Sequence, residues 1–220
     1  MGRNSVKSIF RSIQTVYLSS GLVVEHNEGG LIHYIWDNEN NIFSSVSNQT
    51  DFNRFLNDVK DSLCYLKNGS IYAKKIIDEL SGCDTKTIIK YTKGSSCAPL
   101  QKKNSPAIIY FQNNDVLKLN EGEDSSYLSG ALGLFHELYH AYEHNIKKVY
   151  KENLNNSDVE SKYKNKAEKN AVEATNRVAN ELGEPIRLDY ISARPVPRYY
   201  LGKDATVTTF RKVEKNESLY

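Results

Sequence analysis

The run His136-Glu137-Leu138-Tyr139-His140 constrains this chain more than any other stretch. Two histidines four residues apart share one face of an α-helix, about one turn from each other, so they can share one metal ion. Glu137 stands about 100° round the helix, close enough to reach a water on such a metal. The flank is apolar, with Leu132, Leu134, Phe135 and Leu138, as befits a buried helix. Neutral imidazoles suit zinc, and two of them leave room for a third protein ligand and one water. A helix with solvated or hydrogen-bonded histidines is the alternative reading. An intact Glu137 favours chemistry over a purely structural site, which needs no general base.

The third ligand is sought on the other long helical stretch, AEKNAVEATNRVANEL over 167–182. There Ala171, Val172, Thr175, Val178, Ala179 and Leu182 form one inward stripe. Glu168 lies on the edge of that stripe, one turn before Val172, whereas Glu173 points to the opposite side. A buried carboxylate is costly unless it is paired or holds a metal, which makes Glu168 the expected ligand. A solvated helix-edge glutamate is its bland alternative, and Glu160 and Glu181 are more distant candidates. His144 continues the row but sits roughly 12 Å along the axis from His136, too far to share one ion. The longer spacing HExxHxxGxxH is absent, so His144 is expected to be solvated or to support a ligand from behind.

Composition removes other classes. A net charge of +2 over 220 residues argues against nucleic acid as a partner. No apolar run approaches the roughly 20 residues that span a bilayer. The N-terminus has no continuous apolar core of the secretory type. The three cysteines, Cys64, Cys83 and Cys97, form no CxxC pair and read as idle or buried thiols.

Along the chain, residues 6–18 carry a short helical stripe, and Leu22–Glu25 with Leu31–Trp36 read as a hairpin. Thr50-Asp51 can cap a helix bearing Phe52, Phe55, Leu56, Val59 and Leu63, and Asn68-Gly69 ends it. Residues 71–80 read as a second helix; Thr87–Tyr91, Ala107–Phe111 and Val116–Leu119 read as strands. Helix is expected from Tyr127 to about Lys147 and from Tyr163 to Leu182, where Gly183 and Pro185 stop it. Residues 148–162 read as a loop, and Thr206–Phe210 as an extended run. The fold class is α+β, with a small antiparallel or mixed sheet, in a single domain over 1–220.

At these residues the chain resembles the NleD family of bacterial type III secreted effectors, zinc metalloproteases delivered into host cells. The resemblance covers roughly 127–190: HELYHA, then Glu168-Lys-Asn-Ala-Val172, then Asn176 through Glu181, Gly183, Pro185, Arg187 and Tyr190. The same pieces are similar to clostridial neurotoxin light chains, with HELxHA, a pair of acidic residues and a later R-x-x-Y. In that comparison the second acid of the pair holds zinc and falls on Glu168; Ala167 departs from the acid that precedes it. The resemblance implies a zincin-like fold around a catalytic HExxH helix, and zinc held by His136, His140 and Glu168. It also implies that Glu137 is the general base and that Arg187 and Tyr190 stabilise the developing oxyanion. A salt bridge for Arg187 and a core position for Tyr190 are the alternatives.

The same resemblance implies a host protein as partner: a stress-activated MAP kinase of the JNK type, cut in its activation loop. It implies secretion into the host cytoplasm without a cleavable signal peptide, residues 1–20 as a flexible secretion arm, and a monomeric enzyme. Val116–Leu119 is expected to be an edge strand that holds the substrate, with the helices of 51–80 adding contacts. Two other readings stand beside this one. One is a metalloprotease toxin with a different host or competitor target, against which a start at Met1 favours a free-standing effector. The other is a non-catalytic effector that binds host protein and keeps a residual zinc site.

Overall fold

A computed structural model describes residues 13–27, 49–92, 96–98, 102–119 and 125–212. In chain order these form β1 (Ile13–Tyr17), β2 (Leu22–Asn27), α1 (Gln49–Gly69), α2 (Ile71–Ser81), β3 (Thr87–Tyr91), β4 (Ala107–Phe111), β5 (Asp115–Leu119) and β6 (Tyr127–Leu128). They continue with α3 (Gly130–Tyr142), α4 (Tyr150–Asn155), α5 (Lys166–Leu182) and β7 (Ala193–Pro197). The strands make two small sheets. One runs β1-β2-β3-β4, antiparallel at its first pair and parallel thereafter; the other is antiparallel, in the order β6-β5-β7. The class is α+β, as expected.

The helix that carries the histidines lies at the centre. α3 packs against α1, α2, α5, β4 and β5, and every residue of it except Gly133 is buried. Apart from His136, Glu137 and His140 its side chains are almost all apolar, and such a helix belongs in the core. α1 turns Phe55, Val59, Leu63 and Leu66 inward, and α2 adds Ala73, Ile76, Ile77 and Leu80. α5 contributes small side chains, Ala167, Ala171, Ala174, Thr175 and Ala179, together with Val172 and Val178. Gly21, between β1 and β2, touches backbone so closely that a Cβ there would lie 1.9 Å from Leu80 O.

One buried carboxylate ties the helices at the N-terminal end of α3. Ser129 caps α3, accepting from Leu132 N at 3.3 Å. Ser129 in turn donates its backbone N–H and its hydroxyl to Glu184, each at 2.8 Å, and Tyr65 of α1 donates to the same carboxylate at 2.9 Å. Burial raises the pKa of Glu184, and these three donors oppose that rise.

Several expectations change. Ile13–Tyr17 is a strand, not part of a helix: a turn in which Leu18 N and Ser19 N donate to Leu22 O folds it back on β2. Leu31–Trp36 lies outside the described residues, and β2 pairs with β1 and β3. Tyr127–Leu128 pairs with β5, and the Ser129 cap delays the helix to Gly130. The stretch read as a loop contains α4, anchored by buried Tyr150 and Asn153. α5 starts at Lys166 because Asn165 accepts from Glu168 N at 3.0 Å. Thr206–Phe210 is a turn stitched by its own threonine hydroxyls, with Val207 fully buried and its carbonyl accepting from Ala131 N. Val116–Leu119 is not an edge: β5 pairs on one side with β6 and on the other with β7.

Glu184→Ala strands three donors, two of them on buried Ser129. It is expected to lower unfolding free energy by about 2–4 kcal/mol in urea titrations, as other broken buried networks do. A loss under about 1 kcal/mol would show that the network does not secure α3.

Candidate metal centre and cleft

α3 and α5 bring three side chains to one point. His136 and His140 present Nε2 from successive turns of α3, and Glu168 presents Oε2 from the first turn of α5. The Glu168 oxygen lies 3.1 Å from His136 Nε2 and 3.4 Å from His140 Nε2, and the three ligand atoms are all within 4.8 Å of one another. Both histidines are buried, and Glu168 is nearly so.

The donor set and spacing fit zinc. Bonds of roughly 2.0–2.1 Å at a tetrahedral angle hold ligand atoms about 3.3–3.4 Å apart, close to the two distances above. Two of the three groups, His136 and Glu168, are also shifted toward the form that a metal needs. His136 is neutral, its pKa pushed down to about 4 chiefly by burial. Burial acts to raise the Glu168 carboxyl, but hydrogen bonds from His136 and His140 outweigh it and hold the group well below the usual carboxylate range. On His140 burial is likewise outweighed, by Glu168, Glu137 and Glu143, so its pKa is raised. Nδ1 of each histidine is buried without a hydrogen-bond partner among the described residues.

Beside these ligands is a cavity of about 230 Å³, lined by His136, Glu137, Arg187 and Tyr190 among others. Glu137 is buried, with Oε2 unpartnered, and its pKa is pushed up to about 7, first by burial and then by Glu168, against the pull of His140 and Arg187. Arg187 is buried and fixed: Nε donates to Asp189 O at 2.9 Å and a terminal nitrogen to Tyr190 O at 2.5 Å. Its guanidinium carbon lies 5.3 Å from the centre of the Tyr190 ring, which is itself 6.4 Å from that of His136. Burial raises the Tyr190 hydroxyl to about 12, so the phenol stays protonated at neutral pH and can donate.

All six expected site residues therefore meet in one place. The other candidates do not. Glu160 pairs with Lys162 and Lys169, Glu181 accepts from Ser70 and Tyr72 N, and Glu173 is exposed. His144 is neither solvated nor behind a ligand: its Nε2 is 3.0 Å from Ser105 O. The three cysteines are unpaired.

Two site residues have roles the sequence reading passed over. Gly133, one turn before Glu137, lines the cavity, and a Cβ built on it meets nothing within 4 Å. An isolated glycine in an otherwise apolar helix is the signal that marks it. Asn176 of α5 grips the backbone of Arg187 from both sides, accepting from its N–H at 3.0 Å and donating to its carbonyl at 2.6 Å.

No protein-family model matches the chain, and no curated protein matches its sequence. Among solved structures, it is similar to the light chain of botulinum neurotoxin serotype HA, with TM-score 0.40 and 13% identity over 78% of this chain and 62% of that one. The catalytic domain of Clostridium botulinum neurotoxin serotype F gives TM-score 0.40 and 13% identity over 72% and 59%. The chain thus spans about three-fifths of the length of either. Likeness of that degree decides nothing about chemistry, which rests here on the residues themselves.

Two outcomes are expected. Purified protein should carry close to one zinc per chain by mass spectrometry, and Glu168→Ala or His136→Ala should lose most of it; full occupancy in Glu168→Ala would place the third ligand elsewhere. Gly133→Leu should retain the metal but weaken binding of a hydroxamate probe about tenfold or more, because its side chain grows into the cavity. Undiminished probe binding would show that ligands do not enter there.

Proposed function

We propose that the chain is a zinc-dependent endopeptidase. The observation that carries this is the meeting of His136 Nε2, His140 Nε2 and Glu168 Oε2 beside a cavity that also exposes Glu137, Arg187 and Tyr190. His136, His140 and Glu168 would hold zinc, which when bound would supply a Lewis acid toward a peptide carbonyl and toward water. Glu137 takes the proton of the attacking water and hands it to the leaving amine. Arg187 and Tyr190 are donors for the carbonyl oxygen as it gains charge. The two backbone acceptors that hold Arg187 keep its guanidinium from having to reorganise during the reaction.

For the particular substrate we propose a host stress-activated MAP kinase cut in its activation loop, on the resemblance of residues 127–190 to secreted effectors. The same resemblance supports delivery into a host cell. Because β5 is covered on both sides, the substrate chain is not expected to add to that strand.

Glu137→Gln should keep zinc and fold yet lose about 10²–10⁴-fold in rate. Unchanged cleavage would sink the mechanism. Incubating the wild type with intact host kinases and mapping cuts by mass spectrometry tests the substrate. Robust cutting of other proteins with every MAP kinase intact would remove the kinase assignment and leave the zinc chemistry standing.

A further inference from the structure

Glu143 has no part in the chemistry above, yet it lies fully buried beside it. It follows α3 directly, where the helix loosens into a π-helical turn over Glu143–Lys147. A carboxylate that deep is costly unless its oxygens are used. One oxygen is used twice: Oε1 accepts from Asn153 Nδ2 on α4 at 2.9 Å and from Asn170 Nδ2 on α5 at 2.7 Å. The other, Oε2, is buried and has no partner among the described residues. Three residues back, His140 Nδ1 is in the same condition. One atom is an acceptor that lacks a donor, and the other is a nitrogen able to carry a proton. Residues three apart on a helix have Cβ atoms roughly 5–6 Å apart, which places the two side chains within reach of each other.

We propose that Glu143 is a positioning residue for His140: its Oε2 accepts the Nδ1 proton and so fixes the tautomer whose Nε2 lone pair faces His136 and Glu168. A metal-binding imidazole needs a bare nitrogen toward the ion, and an acceptor behind the ring decides which nitrogen that is. The arrangement also explains why α4 and α5 each send an asparagine to one carboxylate. Those amides hold Oε1 and leave Oε2 for the ring.

This inference rests on the zinc reading, and the test separates the two. Wild type and Glu143→Gln are compared by zinc competition with a chromophoric chelator, by the visible spectrum of the cobalt-substituted proteins, and by long-range proton–nitrogen NMR of the histidine rings. The glutamine oxygen can still accept from Asn153 and Asn170, so the metal-free thermal midpoint should stay near wild type. Its amide cannot accept the Nδ1 proton, and zinc affinity should fall about 10–100-fold, with an altered cobalt spectrum. In the wild-type zinc protein, the Nδ1 proton of His140 should be slow to exchange and shifted downfield. A lowered midpoint with unchanged zinc affinity would assign Glu143 a structural role and overturn the proposal. If Glu143→Gln does not fold, the wild-type spectrum decides: a rapidly exchanging Nδ1 proton on His140 overturns it. Wild type that binds zinc normally while either of these results holds leaves the endopeptidase reading intact. Wild type that binds no zinc ends both.

Discussion

The close approach of α5 to α3 is the constraint on which the site depends. Helix axes in contact settle 8–10 Å apart according to the side chains between them. Along its buried face α5 offers Ala167, Ala171, Ala174, Thr175 and Ala179, with Val172 and Val178 the largest side chains among them, so most of the contact is made by small groups. Thr175 satisfies that hydroxyl locally, donating to Ala171 O at 2.7 Å. Larger residues on this face would push the helices apart. The distances from Glu168 to the two imidazoles would then open beyond what one small ion can bridge. The Asn165 cap does the complementary task of fixing where α5 begins, and hence the height at which Glu168 meets α3.

α3 is held at both ends by polar side chains that are themselves buried. At the start, Ser129 caps the helix while Glu184 holds Ser129. Past the end, Glu143 reaches two asparagines, His144 meets Ser105 O, and Asn145 donates to Thr85 O, Lys86 O and Thr87 Oγ1. Groups of this kind are costly in an interior unless satisfied, so they specify one arrangement and penalise others. Between these anchors the helix cannot rotate, and rotation by one residue would swing His136 and His140 about 100° away from Glu168. A ligand pair on a fixed helix is more accurately placed than one on a loop.

How much of this was legible in the sequence follows from how local each signal is. The His-Glu-Leu-Tyr-His run and the phase of α5 are periodic features of single helices, and they were enough to bring His136, His140 and Glu168 together. Strands Thr87–Tyr91 and Ala107–Phe111 were equally plain, being short β-branched runs between polar breaks. Ile13–Tyr17 was misread because five residues can satisfy either period, and only pairing with β2 decides between them. α4 was hidden for a different reason: its stretch is polar, and the burial of Tyr150 and Asn153 comes from tertiary contacts with Ala98 and Glu143. Nor could residue types alone show that Val116–Leu119 is covered on both sides, since β7, far along the chain, supplies one of its partners.

Arg187 and Tyr190 pose the harder placement problem, since they lie on a segment with no helix or strand of its own. Backbone of that kind has no ladder to hold it, and its position has to come from side chains. Asn176 provides this by pairing with both backbone groups of Arg187, and Arg187 then spends two of its donors on the carbonyls of Asp189 and Tyr190. The chain of contacts starts on α5, two turns beyond Glu168. One helix therefore sets a ligand for the metal with its first turn and the cationic wall of the cavity with its middle. A shift of α5 would displace both together, which keeps their mutual distance even when the helix moves relative to α3. In the proposed mechanism, metal binding and substrate polarisation would thus be coupled through the same rigid element.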